Sequence, residues 1–303
     1  MTAPHLLFGA PPRDLIDLPA GIVQTSPLSP GATLLDTIEP MSAISLHMAV
    51  PPGTLERRYA LAQALRALKP GGTLIAMGPN DKGGGRIRKE LEAFGCTAPE
   101  HSKKHWRLCN TRRPETLTGI VDAIEAGAPR FDSALDLWTQ PGIFSWDRID
   151  EGSALLLETL PPLNGKGADL GCGLGLLARF VLARDTAVTR IDGFDLDGRA
   201  IDAARRNVPD PRSTFHWSDV RGDLPVADLD FVVMNPPFHS GGQDDVALGR
   251  IFVKRARALL RKGGVLWMVA NRHLPYEEEL GSHFAKVEAV TQSARFKICR
   301  AVA

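Results

Sequence analysis

Five consecutive residues, Asn235-Pro236-Pro237-Phe238-His239, follow directly on the apolar run 229–234. Such a run reads as a buried strand, and two prolines straight after it remove two backbone donors and hold the chain extended as it leaves. An asparagine carboxamide beside a proline carbonyl at a rigid corner offers two adjacent hydrogen-bond acceptors. They suit the two N–H bonds of an exocyclic amine on a base, whose conjugated lone pair is a poor nucleophile until it is aimed at an electrophile. Phe238 would stack on a base turned out of its helix. His239 would stack or touch phosphate. The plain alternative is a stiff loop, and the motifs upstream argue against it.

Those motifs begin at Ala168-Asp169-Leu170-Gly171-Cys172-Gly173-Leu174-Gly175, where a short strand meets a glycine-rich turn and a helix over 176–183 follows. Glycines let the backbone pass close to a ligand, and a helix N-terminus offers unpaired N–H groups. A lone turn of this kind also serves tight strand-to-helix packing. The spacing is G-x-G-x-G, with Leu176 where the dinucleotide fingerprint would want its last glycine, and an aspartate stands just before the turn. Both departures favour S-adenosylmethionine over NAD. A second strand, 188–194, ends in Asp195, 24 residues past Gly171 and near the distance at which an acid meets ribose hydroxyls. A third, 213–217, ends at Ser218-Asp219, where a carboxylate would accept from an adenine amino group. Three strands ending in Asp169, Asp195 and Asp219 set acids along one end of a sheet, where ligands of α/β folds bind.

The elements needed to position these groups come in two similar sets. Residues 66–77 and 258–269 share a helix end, a Gly-Gly turn and an apolar strand, and Trp106-Arg107-Leu108-Cys109 matches Phe296-Lys297-Ile298-Cys299. A spacing of about 190 residues is far above solenoid periods and predicts two tandem α/β domains with mostly parallel sheets, 1–130 and 131–303. A helix is expected over 115–126, and Gly127, Pro129, Pro141 and Gly142 punctuate the junction. In the first half Val50-Pro51-Pro52 is the expected counterpart of Asn235-Pro236-Pro237, with valine in place of the amide, and no glycine-rich turn precedes it.

Composition agrees with a globular protein: 303 residues, 44% apolar and 23% charged. No apolar run approaches the roughly 20 residues of a membrane span, and the first residues lack a basic region leading into an apolar stretch, so a cytoplasmic protein without membrane contact is expected. Four separated cysteines argue against a zinc site or a disulfide scaffold, and no metal is expected. Net charge is +1, yet residues 82–113 hold nine basic side chains against three acidic. Arg86, Arg88, Lys103, Lys104 and Arg107, with His239 in the second half, would suit a phosphate backbone; a solvated face is the bland reading.

Asp169–Gly175 and Asn235–Phe238, taken together, resemble the two signature motifs of class I S-adenosylmethionine-dependent amino-methyltransferases. Pro141-Gly142-Ile143-Phe144-Ser145 and Asp150-Glu151-Gly152-Ser153-Ala154 make the chain look like the ribosomal RNA guanine-N2 methyltransferases, which comprise the methyltransferase C family of the small ribosomal particle and the methyltransferase G family of the large one. The resemblance implies that the first domain is a degenerate copy, structural or RNA-binding, and that the second is catalytic. It places Phe144, Ser145, Gly152, Asp169, Gly171, Cys172, Gly173, Asp195, Leu196, Asp219, Val220 and Asn235 beside S-adenosylmethionine, with S-adenosylhomocysteine as product. Catalysis falls to Asn235, Pro236, Pro237 and Phe238. The expected partner is ribosomal RNA or the small ribosomal subunit, and the expected state a monomer. Methylation of adenine N6 or of a protein glutamine uses similar motifs. A non-catalytic assembly factor with a vestigial cofactor pocket is the reading from another class, and a nicotinamide oxidoreductase fits least.

Overall fold

A computed structural model describes residues 3–237, 239–240, 243–244 and 246–303. The chain divides into two compact units, residues 1–130 with 140–142, and residues 131–139 with 143–303.

The first unit carries β1 (His5–Phe8), β2 (Val23–Gln24), β3 (Ala43–Ala49), β4 (Leu68–Pro79), β5 (Glu100–Lys103) and β6 (Trp106–Arg112) in one sheet, ordered β2-β1-β3-β4-β6-β5. The first four strands are parallel and the last two antiparallel. Helices α1 (Thr54–Ala67), α2 (Ile87–Ala93) and α3 (Ile120–Gly127) accompany it. Leu46, Met48, Leu61, Leu65, Leu74, Leu91 and Phe94 are fully buried between strands and helices. The helix expected from residue 115 starts only at Ile120. Thr118 is tied to the end of α2, its N–H donating to Phe94 O at 3.2 Å and its hydroxyl to Ala93 O at 2.9 Å, and Gly119 turns the chain at φ +63°.

A two-stranded ribbon, β7 (Arg130–Asp132) with β8 (Leu137–Thr139), precedes the helix α4 (Glu151–Thr159). The sheet of the second unit follows: β9 (Gly165–Leu170), β10 (Val188–Asp195), β11 (Ser213–Trp217), β12 (Leu229–Met234), β15 (Leu260–Asn271), β16 (Lys286–Gln292) and β17 (Phe296–Val302). A short pair, β13 (His239–Ser240) with β14 (Gln243–Asp244), lies between β12 and β15, and helices α5 (Leu176–Arg184), α6 (Gly198–Asn207), α7 (Val246–Leu259) and α8 (Tyr276–His283) complete the unit. The sheet order is β11-β10-β9-β12-β15-β17-β16. The chain runs outward from β9 to β11 and returns to β12, so the strand order reverses between β9 and β12, and a crevice opens at their C-terminal ends. Successive residues of the central strands alternate between two cores: Val232 and Met234 pack with Phe252, Val253 and Tyr276, Phe231 and Val233 with Leu156, Leu177 and Val181. Both faces are covered, as the unbroken apolar runs require.

The repeat holds to the single residue. Ala76 pairs with Cys109 as Met268 pairs with Cys299, and Pro79 with Trp106 as Asn271 with Phe296. Gly71 and Gly263 adopt φ +75° and +78°, and each donates its N–H at 2.9 Å or less to the last-strand carbonyl opposite, Arg113 O and Ala303 O. A Cβ on Gly72 or Gly264 would press on the same kind of neighbour, a carbonyl of the adjacent strand. The register also corrects one expectation: Met48 stands opposite Ala76 as Met234 stands opposite Met268, so Ala49, not Val50, occupies the position of Asn235.

Candidate active site

The crevice is built from three chain segments. The first is the turn after β9. Gly171 leaves the strand at φ +76° with its N–H on Phe194 O at 2.8 Å, and the Cys172 N–H shares that carbonyl at 3.0 Å. Gly173, at φ +51°, donates to Asp195 Oδ2 at 2.8 Å, and a Cβ there would point into open space. Gly175, by contrast, is needed for packing, because a Cβ would press against Val208 and Ala204. The turn therefore presents a bare backbone on one side and a close helix contact on the other.

The second segment is the end of β12. Asn235 is half-buried, Pro236 buried and Pro237 exposed; Phe238 lies outside the described residues, as does the side chain of His239. The third is the start of α4, whose N-cap Asp150 accepts the Ser153 N–H at 2.8 Å. Asn235 Nδ2 donates to Asp150 Oδ2 at 2.8 Å and to Ser153 Oγ at 2.9 Å. A carboxylate only accepts, so the amide NH2 must be the end that faces it, and Oδ1 is left to accept from something else. Neither Asp150 nor Ser153 was among the expected site residues. They lie 85 and 82 residues from Asn235, so no local spacing points to the pairing; the only signal is the capping aspartate ahead of Glu151-Gly152-Ser153.

These segments line one narrow cleft together with Leu137, Phe144, Ser145, Arg148, Ile149 and Leu177. Phe144, 65% exposed, offers an open ring face at the rim, and Ser145 holds φ +53°. Of the expected residues, Phe144, Ser145, Gly171, Cys172, Gly173 and Asn235 line the cleft. Gly152 lies outside the lining, and a Cβ there would press on Asp150 Oδ2 and the Phe296 ring. Leu196 lends its carbonyl to Trp217 Nε1 at 2.8 Å, and Val220 is buried with its carbonyl on Arg255 Nε at 3.1 Å. Asp219 is held by Arg221, whose Nε reaches both carboxylate oxygens at 2.9 and 2.8 Å, and that guanidinium keeps its pKa below the usual carboxylate range.

Asp169 has no exposed surface, and neither carboxylate oxygen meets a hydrogen-bond partner. Burial, and then the nearby Asp195 carboxylate, push its pKa up to about 8. Asp195 is raised to about 6 by burial, even though the N–H groups of Asp197 and Gly173 stabilise its charge. Two desolvated carboxyls behind an open glycine turn form a site short of positive charge. A nucleoside bearing an ammonium and a sulfonium fits that need, and Asp195 is held in place by the N–H groups of Gly173 at 2.8 Å and Asp197 at 2.9 Å. Cys172 is buried, and burial drives its thiol well above its ordinary pKa, so it offers no thiolate nucleophile. Among the described residues no three His, Cys, Asp or Glu side chains cluster as metal ligands, and no helix is long and apolar enough to cross a membrane.

The equivalent corner of the first unit is closed. The Arg57 guanidinium, 1% exposed, donates to Pro52 O at 2.7 Å and to both Glu90 oxygens at 2.8 Å, occupying the carbonyls that follow β3. Of the basic side chains expected to meet RNA, Arg88 pairs with Glu92 at 2.8 Å, Arg107 with Glu100 at 3.4 Å and Lys104 with Asp14 at 2.5 Å, while Lys103 donates to Asp14 O at 3.4 Å. Arg86 is exposed on the turn before α2.

Residues 134–300 match the family model described as the methyltransferase small domain. The chain is 32% identical to the ribosomal RNA small subunit methyltransferase C of Pseudomonas paraeruginosa, over 98% of this chain and 93% of that one. It is 31% identical to the protein of the same name from Klebsiella pneumoniae, over 83% of this chain and 73% of that one. Among solved structures it resembles the T. thermophilus 16S rRNA N2 G1207 methyltransferase in complex with AdoMet and guanosine. The TM-score is 0.79 at 22% identity, covering 99% of this chain and 88% of that one, a likeness of fold.

Proposed function

The chain belongs to the ribosomal RNA small subunit methyltransferase C family, and from that premise we propose that its second unit methylates the exocyclic N2 amine of a guanine in small-subunit ribosomal RNA, with S-adenosylmethionine as donor. The observation that carries the reading is the pinned amide of Asn235. Its Nδ2 is spent on Asp150 and Ser153, which leaves Oδ1 as the acceptor of a residue that lines the cleft.

S-adenosylmethionine, when bound, supplies the methyl group on a sulfonium centre. Phe144, Ser145 and the Gly171-Cys172-Gly173 backbone would hold it, Asp195 would take the ribose, and Asp169 would balance its positive charge. Asn235 Oδ1 accepts one N–H of the guanine amine and the Pro236 carbonyl the other. The nitrogen lone pair is thereby turned out of the plane of the base and toward the methyl carbon. An N–C bond forms as the S–C bond breaks, and the amine then gives one proton to water. Acceptors fixed before the reaction need no reorganisation during it, and such preorganisation is worth several kcal/mol of barrier. Pro237 keeps the exit from β12 rigid, and Phe238 would stack on the extruded base. The first unit, with Ala49 where Asn235 stands and Arg57 filling the corner, would neither bind the donor nor catalyse; it would support folding or hold RNA through Arg86, Arg88 and their neighbours.

Asn235→Ala tests this assignment. Donor affinity should stay within a few-fold of the parent, because the Asn235 side chain is turned toward α4 and the amine. Turnover should fall by about 100-fold or more, the scale on which removing one fixed hydrogen-bond partner acts. Equal loss of donor binding and turnover would remove Asn235 from its role in aiming the amine.

A further inference from the structure

A second cavity, of ≈ 570 Å³, is lined by Asn271, Arg272, His273, Ala294 and Arg295. It sits where β15 ends and β17 begins. The Arg272 N–H donates to Arg295 O at 2.8 Å, so the two arginines stand across the ladder from each other. The cavity also lies beside the reacting corner. β15 is the neighbour of β12, with Met234 opposite Met268, so Asn271 is three residues beyond the register of the Asn235 strand end. From the other side, Arg295 pairs at 3.0 Å with Glu151, the residue next to Asp150, which holds Asn235.

The chemistry of the walls limits the ligand. Two permanent cations, an imidazole and an amide face an open cavity, so an anion rich in acceptor oxygens fits it. Guanidinium forks match the oxygens of a phosphate. Glu151 does not cancel the site: both partners of that pair are about 70% exposed, and an ion pair so wet exchanges readily for a phosphate. We propose that this cavity binds the phosphodiester groups next to the target guanine, Arg272 and Arg295 each engaging a phosphate so that the nucleotide is presented to Asn235. The choice of RNA over a small acid rests on the proposed function.

The test is binding of a labelled single-stranded RNA oligonucleotide to the full chain, without donor, by fluorescence anisotropy between about 0.05 and 0.5 M salt. Each lost phosphate contact should flatten the slope of log affinity against log salt by about 0.7, which is about a five-fold loss at 0.1 M. Arg272→Ala and Arg295→Ala should each show that change and the double variant twice it. Lys262→Ala, an exposed cation at the far end of β15, is the charge control and should leave the slope unchanged. A parental slope in both arginine variants, or an equal change in the lysine control, would overturn the proposal. Because no turnover is measured, this outcome is separate from that of the functional reading, which fails if guanine is not the methylated base.

Discussion

Asp169 is a fully buried acid, and its cost should be visible as pH dependence. In the unfolded chain an aspartate titrates near about 3.9. In the folded chain burial lifts Asp169 to about 8, so between these values the folded state holds a proton that the unfolded state has released. Its contribution to stability is therefore present below about pH 4 and lost as pH rises through 8. Asp169→Asn keeps the shape without the titration, so its melting temperature should gain on the parent from about pH 4 to pH 8 and level off above. Donor binding should move the other way. A cationic ligand selects the ionised carboxylate, so affinity in the parent should rise from about pH 6 to pH 8 with proton release. In Asp169→Asn it should be weaker by about ten-fold at pH 8 and flat with pH. Calorimetry in buffers of different ionisation enthalpy reads both; a pH-independent parental affinity would mean that Asp169 is not the group that meets the positive charge. Asp169 was legible in the sequence as an acid before a glycine turn, but its isolation was not, because neighbours in space set it.

At the scale of elements, the N-terminus of α4 does two jobs with one carboxylate: Asp150 caps the helix through Ser153 N and holds Asn235 Nδ2. These separate by mutation. Asp150→Ala should lose both, with about 1 kcal/mol of stability from the cap and a marked drop in kcat. Ser153→Ala keeps the backbone N–H that Asp150 caps and removes only the second acceptor for the amide. It should lower kcat several-fold with little change in melting temperature, in KM for donor or in KM for RNA. Equal losses of stability and kcat in Ser153→Ala would mean a purely structural contact. The strands that carry the site were readable almost to the residue, from short β-branched and aromatic stretches that end at acids or turn residues. β12 and β11 match their expected limits, and β10 runs one residue further to include Asp195. The start of α3 was not, because a contact to α2 from 24 residues away holds Thr118 outside the helix. One carboxylate that pairs with the basic stretch 82–113 was likewise hidden: Asp14 reaches Lys104 across 90 residues. The cations at Arg272 and Arg295 sit in short turns with no periodicity to flag them.

Across the whole molecule, one structural plan is used twice with different results. Both units keep the Gly-Gly entry to a central strand and the antiparallel return with a buried cysteine, because these set the sheet itself. They diverge at the corner where chemistry would occur. The second unit places an amide pinned by Asp150 and Ser153 in the lining of a cleft; the first fills the corner with the buried Arg57–Glu90 pair, whose charges must satisfy each other. The most direct measurement is transfer of labelled methyl from S-adenosylmethionine to small ribosomal subunits, large ribosomal subunits and naked ribosomal RNA from cells lacking the protein, followed by digestion to nucleosides. N2-methylguanosine is expected from small ribosomal subunits, and none with Asn235→Ala. Label in N6-methyladenosine, or in protein, would contradict that expectation.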